Sequence, residues 1–259
     1  MSETDTVDTR SAKPIRRAIL AILWVQIGIG AFLAGSDVMS GLDGVMRPSS
    51  APSFDQPVRP GDQTRRFEPA NAPDLTTDPS RRTPFPGGDN VPSRLAFEAA
   101  DGTAFVKGQI SPGDAVRFDE WLATVDVDRV RLMSPGGSVQ DALHIGRTIR
   151  RNALETVMLA GDFCYSACPY VLAGGTSRQI DDEASVGVHQ HYFDENTVLP
   201  AFIAVENIQR GQAEVVAYLT EMGIDLRVTE HALSTPPDEI YVLVPEELVE
   251  YGFTTAEEA

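Results

Sequence analysis

Ser166 and His189 are the two residues of this chain whose types and spacing could do chemistry. Ser166 comes shortly after the apolar segment 156–161, where the sequence predicts the start of a helix. His189 ends the short apolar segment 184–188. Because one strand–helix–strand return fits between the two positions, a parallel sheet would bring both side chains to one edge. An imidazole beside a serine hydroxyl can take its proton while the oxygen attacks a carbonyl carbon.

Ser166 also has a simpler interpretation, because serine is among the best residues for capping the N-terminus of a helix. A serine at a strand-to-helix turn is held exposed, as a nucleophile must be. The position of His189 favours the nucleophile over the cap. The three other histidines are interpreted as structural or surface residues: His144, His191 and His231.

A glycine-containing turn lies upstream at residues 134–137, with the sequence Ser-Pro-Gly-Gly. It follows the strand-like segment 130–133. Its two glycines free the backbone to turn N–H groups toward a ligand oxygen. Apolar residues then recur every three to four positions between Asp141 and Arg150, which predicts an amphipathic helix. The chain thus presents, in order, an oxyanion-binding turn, a nucleophile and a base.

These motifs together resemble the proteolytic subunit of the Clp protease and its crotonase-fold relatives. The resemblance is carried by Ser-Pro-Gly-Gly-Ser at 134–138, by the serine at the head of a buried helix, and by Val-Gly-Val-His-Gln at 186–190. Val-Glu-Tyr-Gly-Phe at 249–253 resembles the closing helix and turn of the family. Bacterial membrane-anchored, periplasmic Clp-like proteins have a sequence similar to Cys-Tyr-Ser-Ala-Cys at 164–168.

The resemblance, which covers about residues 95–253, implies both a fold and an activity. The fold is α/β, a ClpP-like and crotonase-like spiral of ββα units with a projecting helix. The activity is that of a serine peptidase that cleaves peptides or unfolded proteins through an acyl-enzyme. The projecting helix, predicted at 199–222, mediates subunit contacts in the family and implies a homo-oligomer. Ordinary packing on its own domain is the alternative for that helix.

Particular site residues follow from the same resemblance. Ser166 would be the nucleophile and His189 the base. Asp238 would be the third member of the triad, with Glu239 as its fallback. The backbone N–H groups of Gly137 and Ala167 would donate hydrogen bonds to the oxyanion. Gly136 would shape the turn that presents the first of these groups.

The chain has two cysteines, Cys164 and Cys168, and they flank the predicted nucleophile. A disulfide between them would fix the turn that presents Ser166, and two buried free thiols are the alternative. A metal site is disfavoured, because two ligands are too few. The sequence contains neither a Gly-x-Gly-x-x-Gly motif nor a Walker-type loop, so no cofactor is expected.

The N-terminal third predicts a membrane anchor and a linker. Residues 18–35 are uncharged and apolar, which is enough for a short transmembrane helix. Since basic residues precede this run, the positive-inside rule predicts that residues 1–17 are cytoplasmic and that the rest lies in the periplasm, across a bacterial inner membrane. A cleaved signal peptide is the alternative. Residues 36–93, rich in Pro, Ser and Asp, predict a disordered linker before a domain at 94–259.

The formal net charge is −17, with most of the acidic excess after residue 180. Such a surface excludes nucleic acid as a partner, because phosphate binding needs clustered Lys and Arg. An ATP-driven unfoldase, usual for cytoplasmic Clp relatives, is not expected across the membrane. Two other classes of function stay open. A crotonase-fold acyl-CoA enzyme would share the oxyanion turn, but would not meet CoA outside the cytoplasm. A catalytically silent scaffold would bind extended polypeptide by β-augmentation.

Overall fold

A computed structural model of the chain describes residues 12–46, 49–69, 85, 90–191 and 201–255. They belong to two compact units, Met1–Ser49 and Ser50–Ala259. The first unit contains one helix, α1 (Ala12–Met46), which includes the whole predicted span at 18–35. Within α1, the segment Arg16–Leu33 is long and apolar enough to cross a membrane.

The second unit alternates strands and helices. In chain order its elements are β1 (Thr64–Arg66), β2 (Ala96–Ala100), β3 (Thr103–Lys107), α2 (Asp114–Leu122), β4 (Arg129–Met133), α3 (Val139–Arg151), β5 (Glu155–Met158), β6 (Phe163–Tyr165), α4 (Cys168–Ala173), β7 (Arg178–Ile180), β8 (Ser185–Val188), α5 (Ala201–Met222), α6 (Val228–Ser234), β9 (Glu239–Val242) and α7 (Pro245–Glu250).

The strands form two sheets. The larger has the order β2-β3-β4-β5-β7. Its β2 is antiparallel to β3, and the following pairs are parallel. The smaller has the order β1-β9-β8-β6, in which β6 and β8 are parallel and β9 is antiparallel to both neighbours. The parallel pair β6–β8 therefore places the residues that follow these two strands at the same edge.

Successive units of two strands and a helix link the two sheets. In the pairs β5–β6 and β7–β8, the first strand belongs to the larger sheet and the second to the smaller. A helix follows each pair, α4 and then α5. The chain also passes from the larger sheet to the smaller one after β4, since Ser134 forms a parallel bridge with Cys164 of β6 before α3 begins. The predicted α/β spiral of ββα units is confirmed by this repetition.

The helix α3 packs closely on α4 and thereby supports the turn that contains Ser166. Its N-cap is Ser138, whose side chain accepts a hydrogen bond from the Asp141 backbone N–H. One face of α3 is buried, and burial of each large apolar side chain contributes roughly 1.5–3 kcal/mol. Two glycines allow the close approach, because a Cβ on Gly174 would lie 2.6 Å from the Gly146 Cα. The buried apolar residues of α3 are Ala142, Leu143, Ile145 and Ile149.

The two halves of α5 differ in burial. From residue 205 to residue 214 its side chains are exposed or half-buried. The second half buries four apolar residues in the core, Val215, Tyr218, Leu219 and Met222. The Tyr218 hydroxyl also donates to the Tyr170 carbonyl, 2.6 Å away, which connects α5 to α4. The helix is therefore anchored by its C-terminal half, and its first half projects, as predicted.

The prediction of a disordered linker over 36–93 is wrong in two places. Residues 36–46 continue α1. Residues 50–69 belong to the second unit, where β1 pairs with β9 and Phe67 is 5% exposed. Positions 47–48, 70–84 and 86–89 of the predicted linker lie outside the described residues, as do residues 1–11.

The polar composition of this segment concealed its fold, because the two terminal nitrogens of its buried arginine bind backbone carbonyls and the Asp62 carboxylate. Arg65 has a fully buried side chain, and its guanidinium donates to the carbonyl oxygens of Asp62, Thr64 and Pro57. A buried charge is tolerated only where such hydrogen bonds replace water. The second unit therefore begins near residue 50 rather than at residue 94.

Candidate active site

Ser166 occupies a tight turn between β6 and α4. Its φ angle is +60°, in the left-handed region that residues other than glycine rarely adopt. Its backbone N–H donates to the Gly187 carbonyl at 3.0 Å, which ties the turn to β8. A disulfide joins Cys164 and Cys168 on either side, with a Cα–Cα distance of 5.1 Å. Ser166 therefore lies in a sharply bent, cross-linked loop, and it is half-buried while its neighbours are buried.

His189 follows β8 and faces this serine. Its Nε2 lies 2.8 Å from the Ser166 Oγ, and its Nδ1 lies 3.1 Å from the Pro237 carbonyl oxygen. A carbonyl oxygen can only accept a hydrogen bond, so Nδ1 must carry the proton. The neutral imidazole then has its lone pair on Nε2, directed at the serine hydroxyl. This is the tautomer that a general base needs.

The surroundings of His189 keep its imidazole neutral. Burial lowers the pKa of His189 below its ordinary value of about 6.5. The backbone carbonyls near Nδ1 and the negative charge of Asp238 oppose this shift and raise the pKa, but the net direction is downward. At neutral pH the side chain is therefore unprotonated and able to accept the serine proton.

Asp238 is one residue beyond the group that contacts Nδ1. Its side chain is exposed, and its influence on His189 is through charge. Its backbone carbonyl accepts a hydrogen bond from the Phe67 N–H at 3.0 Å. Glu239, the predicted fallback, begins β9 and is half-buried. The structure therefore brings the Pro237 carbonyl, rather than the Asp238 carboxylate, to the imidazole.

The predicted oxyanion turn lies directly against Ser166. Gly136 has a φ of +93°, and a Cβ at this position would lie 2.5 Å from both the Ser166 Cβ and the Tyr165 carbonyl oxygen. The adjacent Gly137 has a φ of +136° and forms a parallel bridge with Ile110. Only glycine fits at 136, since a side chain there would displace the serine.

Two backbone N–H groups near Ser166, one in the glycine turn and one directly after the serine, are available to a ligand oxygen. Neither the Gly137 nor the Ala167 N–H donates a hydrogen bond within the described part of the chain. Ala167 is fully buried, and buried N–H groups are nearly always paired. An unpaired donor beside a nucleophile is the arrangement that stabilises an oxyanion.

A cavity of about 260 Å³ opens beside His189, between the end of β8 and the helices α5 and α6. Much of its lining is apolar, which suits an apolar group of a ligand. Among the lining residues are Tyr170, His189, His191, Ile208, Val215 and Leu233.

The other histidines have structural contacts. His191 Nε2 lies 2.6 Å from the Tyr170 hydroxyl, and burial lowers the pKa of His191 to about 4. His144 Nε2 lies 2.7 Å from an Asp119 carboxylate oxygen. His231 stacks on Tyr241 with their ring centroids 4.1 Å apart. Within the residues that the structure describes, no group of three or more His, Cys, Asp and Glu side chains could hold a metal ion.

Phe67 is a site neighbour that sequence reasoning missed. Its ring centroid lies 5.3 Å from that of the His189 imidazole, at an interplanar angle of 82°. The only local signal is an apolar residue after Thr64–Arg66, within a Pro-rich stretch. The Pro237 carbonyl was also missed, because a backbone acceptor has no sequence signature.

Comparisons with known proteins give likenesses among solved structures. No protein-family model matches the chain, and no curated protein matches it. It is similar to a ClpP1 mutant from Listeria monocytogenes, with 15% identity, a TM-score of 0.47, and coverage of 59% of this chain and 88% of that one. It is also similar to a peptidase from Plasmodium falciparum, with 14% identity, a TM-score of 0.47, and coverage of 60% and 93%. These likenesses concern the fold alone.

Proposed function

We propose that this chain is a membrane-tethered, extracytoplasmic serine peptidase that cleaves peptides or unfolded proteins through an acyl-enzyme. The observation that carries the proposal is the 2.8 Å contact between Ser166 Oγ and His189 Nε2. The Pro237 carbonyl supports it, because that acceptor selects the tautomer in which Nε2 is free to take a proton. A serine hydroxyl is a weak nucleophile at neutral pH unless such a base activates it.

The reaction would proceed as acyl transfer to water. Ser166 Oγ attacks the peptide carbonyl carbon while its proton passes to His189 Nε2. The Gly137 and Ala167 N–H groups donate to the oxyanion that forms. His189 then protonates the leaving amine, and the acyl-serine ester is hydrolysed by a water that the same imidazole activates.

Two groups would share the work of stabilising the imidazolium. The Pro237 carbonyl, 3.1 Å from Nδ1, orients the ring. The Asp238 carboxylate favours the protonated ring by its charge. We therefore propose that Asp238 stabilises the His189 imidazolium by its charge. The other predicted task of the third triad residue, to hold the tautomer, falls to the Pro237 carbonyl.

Two features support an extracytoplasmic location. The apolar segment Arg16–Leu33 has the length and hydropathy of a membrane span, and basic residues precede its apolar core. The disulfide between Cys164 and Cys168 is typical of proteins in oxidising compartments. Both fit a cytoplasmic N-terminus and a periplasmic C-terminal domain in a bacterial inner membrane.

A homo-oligomer is proposed because of the first half of α5. Val205, 51% exposed, lies on this projecting part of the helix. A second copy of the chain would cover such a surface.

The proposed substrates are peptides or unfolded polypeptides, which need no ATP-driven unfoldase.

The proposal is tested with a fluorophosphonate probe on the full-length chain in detergent micelles. We expect covalent labelling that Ser166→Ala abolishes and that His189→Ala slows by at least about 1,000-fold, since the two residues act as a unit. Ser111→Ala, outside the site, is the matched control and should label normally. Cleavage of an unfolded protein substrate should follow the same pattern.

The other two classes of function predict different outcomes. A scaffold would bind extended peptides but give neither labelling nor cleavage, in oxidised or reduced protein. An acyl-CoA enzyme would bind or turn over an acyl-CoA thioester, and this activity would survive Ser166→Ala. Either result would overturn the peptidase assignment.

A further inference from the structure

Residues 50–69 reach the candidate active site through the edge of the smaller sheet. β1 pairs antiparallel with β9, in a register that places Arg66 opposite Glu239. One residue further, the Phe67 N–H donates to the Asp238 carbonyl at 3.0 Å. The neighbouring carbonyl, that of Pro237, is the acceptor for His189 Nδ1. The segment that leads from α1 therefore hydrogen-bonds to the loop that orients the imidazole.

The side chain of Phe67 also contacts the site directly. It is 5% exposed, and its ring meets the His189 imidazole edge to face, with centroids 5.3 Å apart. The same ring lies 5.7 Å from Tyr165, again edge to face. Tyr165 immediately precedes Ser166, so one phenyl ring packs against the base and against the strand that presents the nucleophile.

We propose that Phe67 is a positioning residue for His189, supplied by a segment outside the predicted domain. Its ring fixes the plane of the imidazole so that Nε2 points at Ser166, and it keeps water from that face of the ring. The inference rests on the proposed function, since it assigns a part to Phe67 in the same Ser–His reaction. A domain that began at residue 94 would lack this contact.

The contact has a defined consequence for the protonation of His189. Burial is the largest influence on the pKa of His189 and lowers it. Removal of the phenyl ring admits water, so the pKa rises toward about 6.5. The charged and titratable groups that face this imidazole are Asp238, which favours its protonated form, and His191, which is neutral above its pKa of about 4. Neither is altered by substitution of Phe67.

Phe54 offers a matched control within the same segment. Its ring stacks on Tyr165 at a centroid distance of 5.7 Å, from the same cluster of apolar side chains that contains Phe67. Among the described ring contacts, Phe54 meets Tyr165 and not His189. A role confined to core packing would lower the stability of either variant and leave the pH profile of labelling unchanged, whereas a positioning role would change that profile in Phe67→Ala alone.

The experiment compares Phe67→Ala, Phe67→Leu and Phe54→Ala in the full-length chain in detergent. The rate of fluorophosphonate labelling is measured from pH 4 to 9, with thermal unfolding recorded for each variant. We expect Phe67→Ala to lose on the order of 100-fold in rate, because small displacements of a catalytic group cost that much. The fall of its labelling rate at low pH, the acid limb of the profile, should move to higher pH. Phe67→Leu retains apolar cover and should recover most of the rate, and Phe54→Ala should keep the wild-type profile.

A second measurement works without catalysis. The chain has four histidines, so labelling with histidine carrying ¹³C at the Cε1 position gives few enough resonances to assign. We expect the pKa of His189 to rise in Phe67→Ala and to stay unchanged in Phe54→Ala. Equal pKa values and equal pH profiles in the two alanine variants would overturn the inference. A wild-type chain that neither labels nor cleaves would overturn the proposed function instead, while the titration still decides whether Phe67 governs His189.

Discussion

His189 Nδ1 and the Pro237 carbonyl oxygen lie 3.1 Å apart, and this hydrogen bond decides which imidazole nitrogen faces Ser166. In a serine triad a carboxylate has two tasks, to hold the tautomer and to stabilise the imidazolium. A backbone carbonyl performs the first task equally well, because it too can only accept. The carbonyl carries no full charge, so in the proposed mechanism stabilisation of the imidazolium is left to Asp238.

The division of labour between Pro237 and Asp238 predicts a weak effect of Asp238→Asn. Where a carboxylate holds the tautomer, its amide costs about 10⁴ in rate. Here we expect a loss of less than about tenfold in kcat/KM, because water screens an exposed charge. Removal of that charge also lowers the pKa of His189, so the acid limb should move to lower pH. Glu239→Gln is the control, with no change expected, and a loss near 10⁴ for Asp238→Asn would show that the carboxylate reaches Nδ1 in the reacting complex.

The pH dependence of the wild-type rate follows from the burial of His189. The base must be unprotonated, so the rate falls as the pH falls through the pKa of His189. Because burial lowers this pKa, the midpoint of the acid limb should lie below about 6.5. His191→Gln should leave the limb unchanged above about pH 5, since the pKa of His191 is about 4 and that ring is already neutral. A midpoint at or above 6.5 would contradict the prediction.

Local patterns were sufficient to predict the elements that carry the site. Asp101 and Gly102, both at positive φ, form the turn between β2 and β3, and an Asp-Gly pair is a common local signal of a hairpin. The helix predicted after Ser-Pro-Gly-Gly is α3. The contact between Ser166 and His189 follows from the parallel pairing of β6 with β8, which puts both residues at one edge, although the connection between these strands contains β7 as well as α4. Each of these features depends on residues close together in the sequence.

The contributions of Phe67 and Pro237 could not be predicted in this way. The strand β1 has three residues, lies in a Pro-rich stretch, and pairs with a strand far away in the chain. Three residues are too few for an alternation of apolar and polar side chains to distinguish a strand from a loop. Pro237 acts through its backbone oxygen, which every residue has. The sequence suggested the nearby carboxylate of Asp238, since a family pattern specifies side chains.

Gly136→Ala should strongly reduce the labelling rate of Ser166. The added Cβ would lie 2.5 Å from the Ser166 Cβ, so the nucleophile must shift away from His189 and from the oxyanion donors. We expect a loss of at least about 100-fold in labelling rate, comparable to removal of an oxyanion donor. Gly223→Ala is the control for backbone strain, because its φ is +73° and nothing lies within 4 Å of its added Cβ. It should cost roughly 1 kcal/mol in the free energy of unfolding and leave the rate unchanged; equal rates in the two variants would contradict the predicted clash.

Removal of the disulfide should affect the labelling rate more than stability alone explains. The bridge closes a short loop, so the double variant Cys164→Ala/Cys168→Ala should lose about 2 kcal/mol in the free energy of unfolding. The same loop holds Ser166 at a φ of +60°, a conformation that a relaxed chain would leave. Val130→Ala, in buried β4, is the control for a comparable loss of stability at a distance from the nucleophile.

The two variants are compared by labelling rate at a temperature where both are folded, and a thiol titration establishes the bridge. The unfolded oxidised chain should show no free thiol, and the reduced chain should show two. If the cysteine variant labels as fast as Val130→Ala, the prediction is contradicted. The packing of Gly136 and the hydrogen bond to the Gly187 carbonyl would then be enough to hold the Ser166 loop. A slower rate means that the covalent bridge supplies part of the energy that holds Ser166 in its strained conformation toward His189.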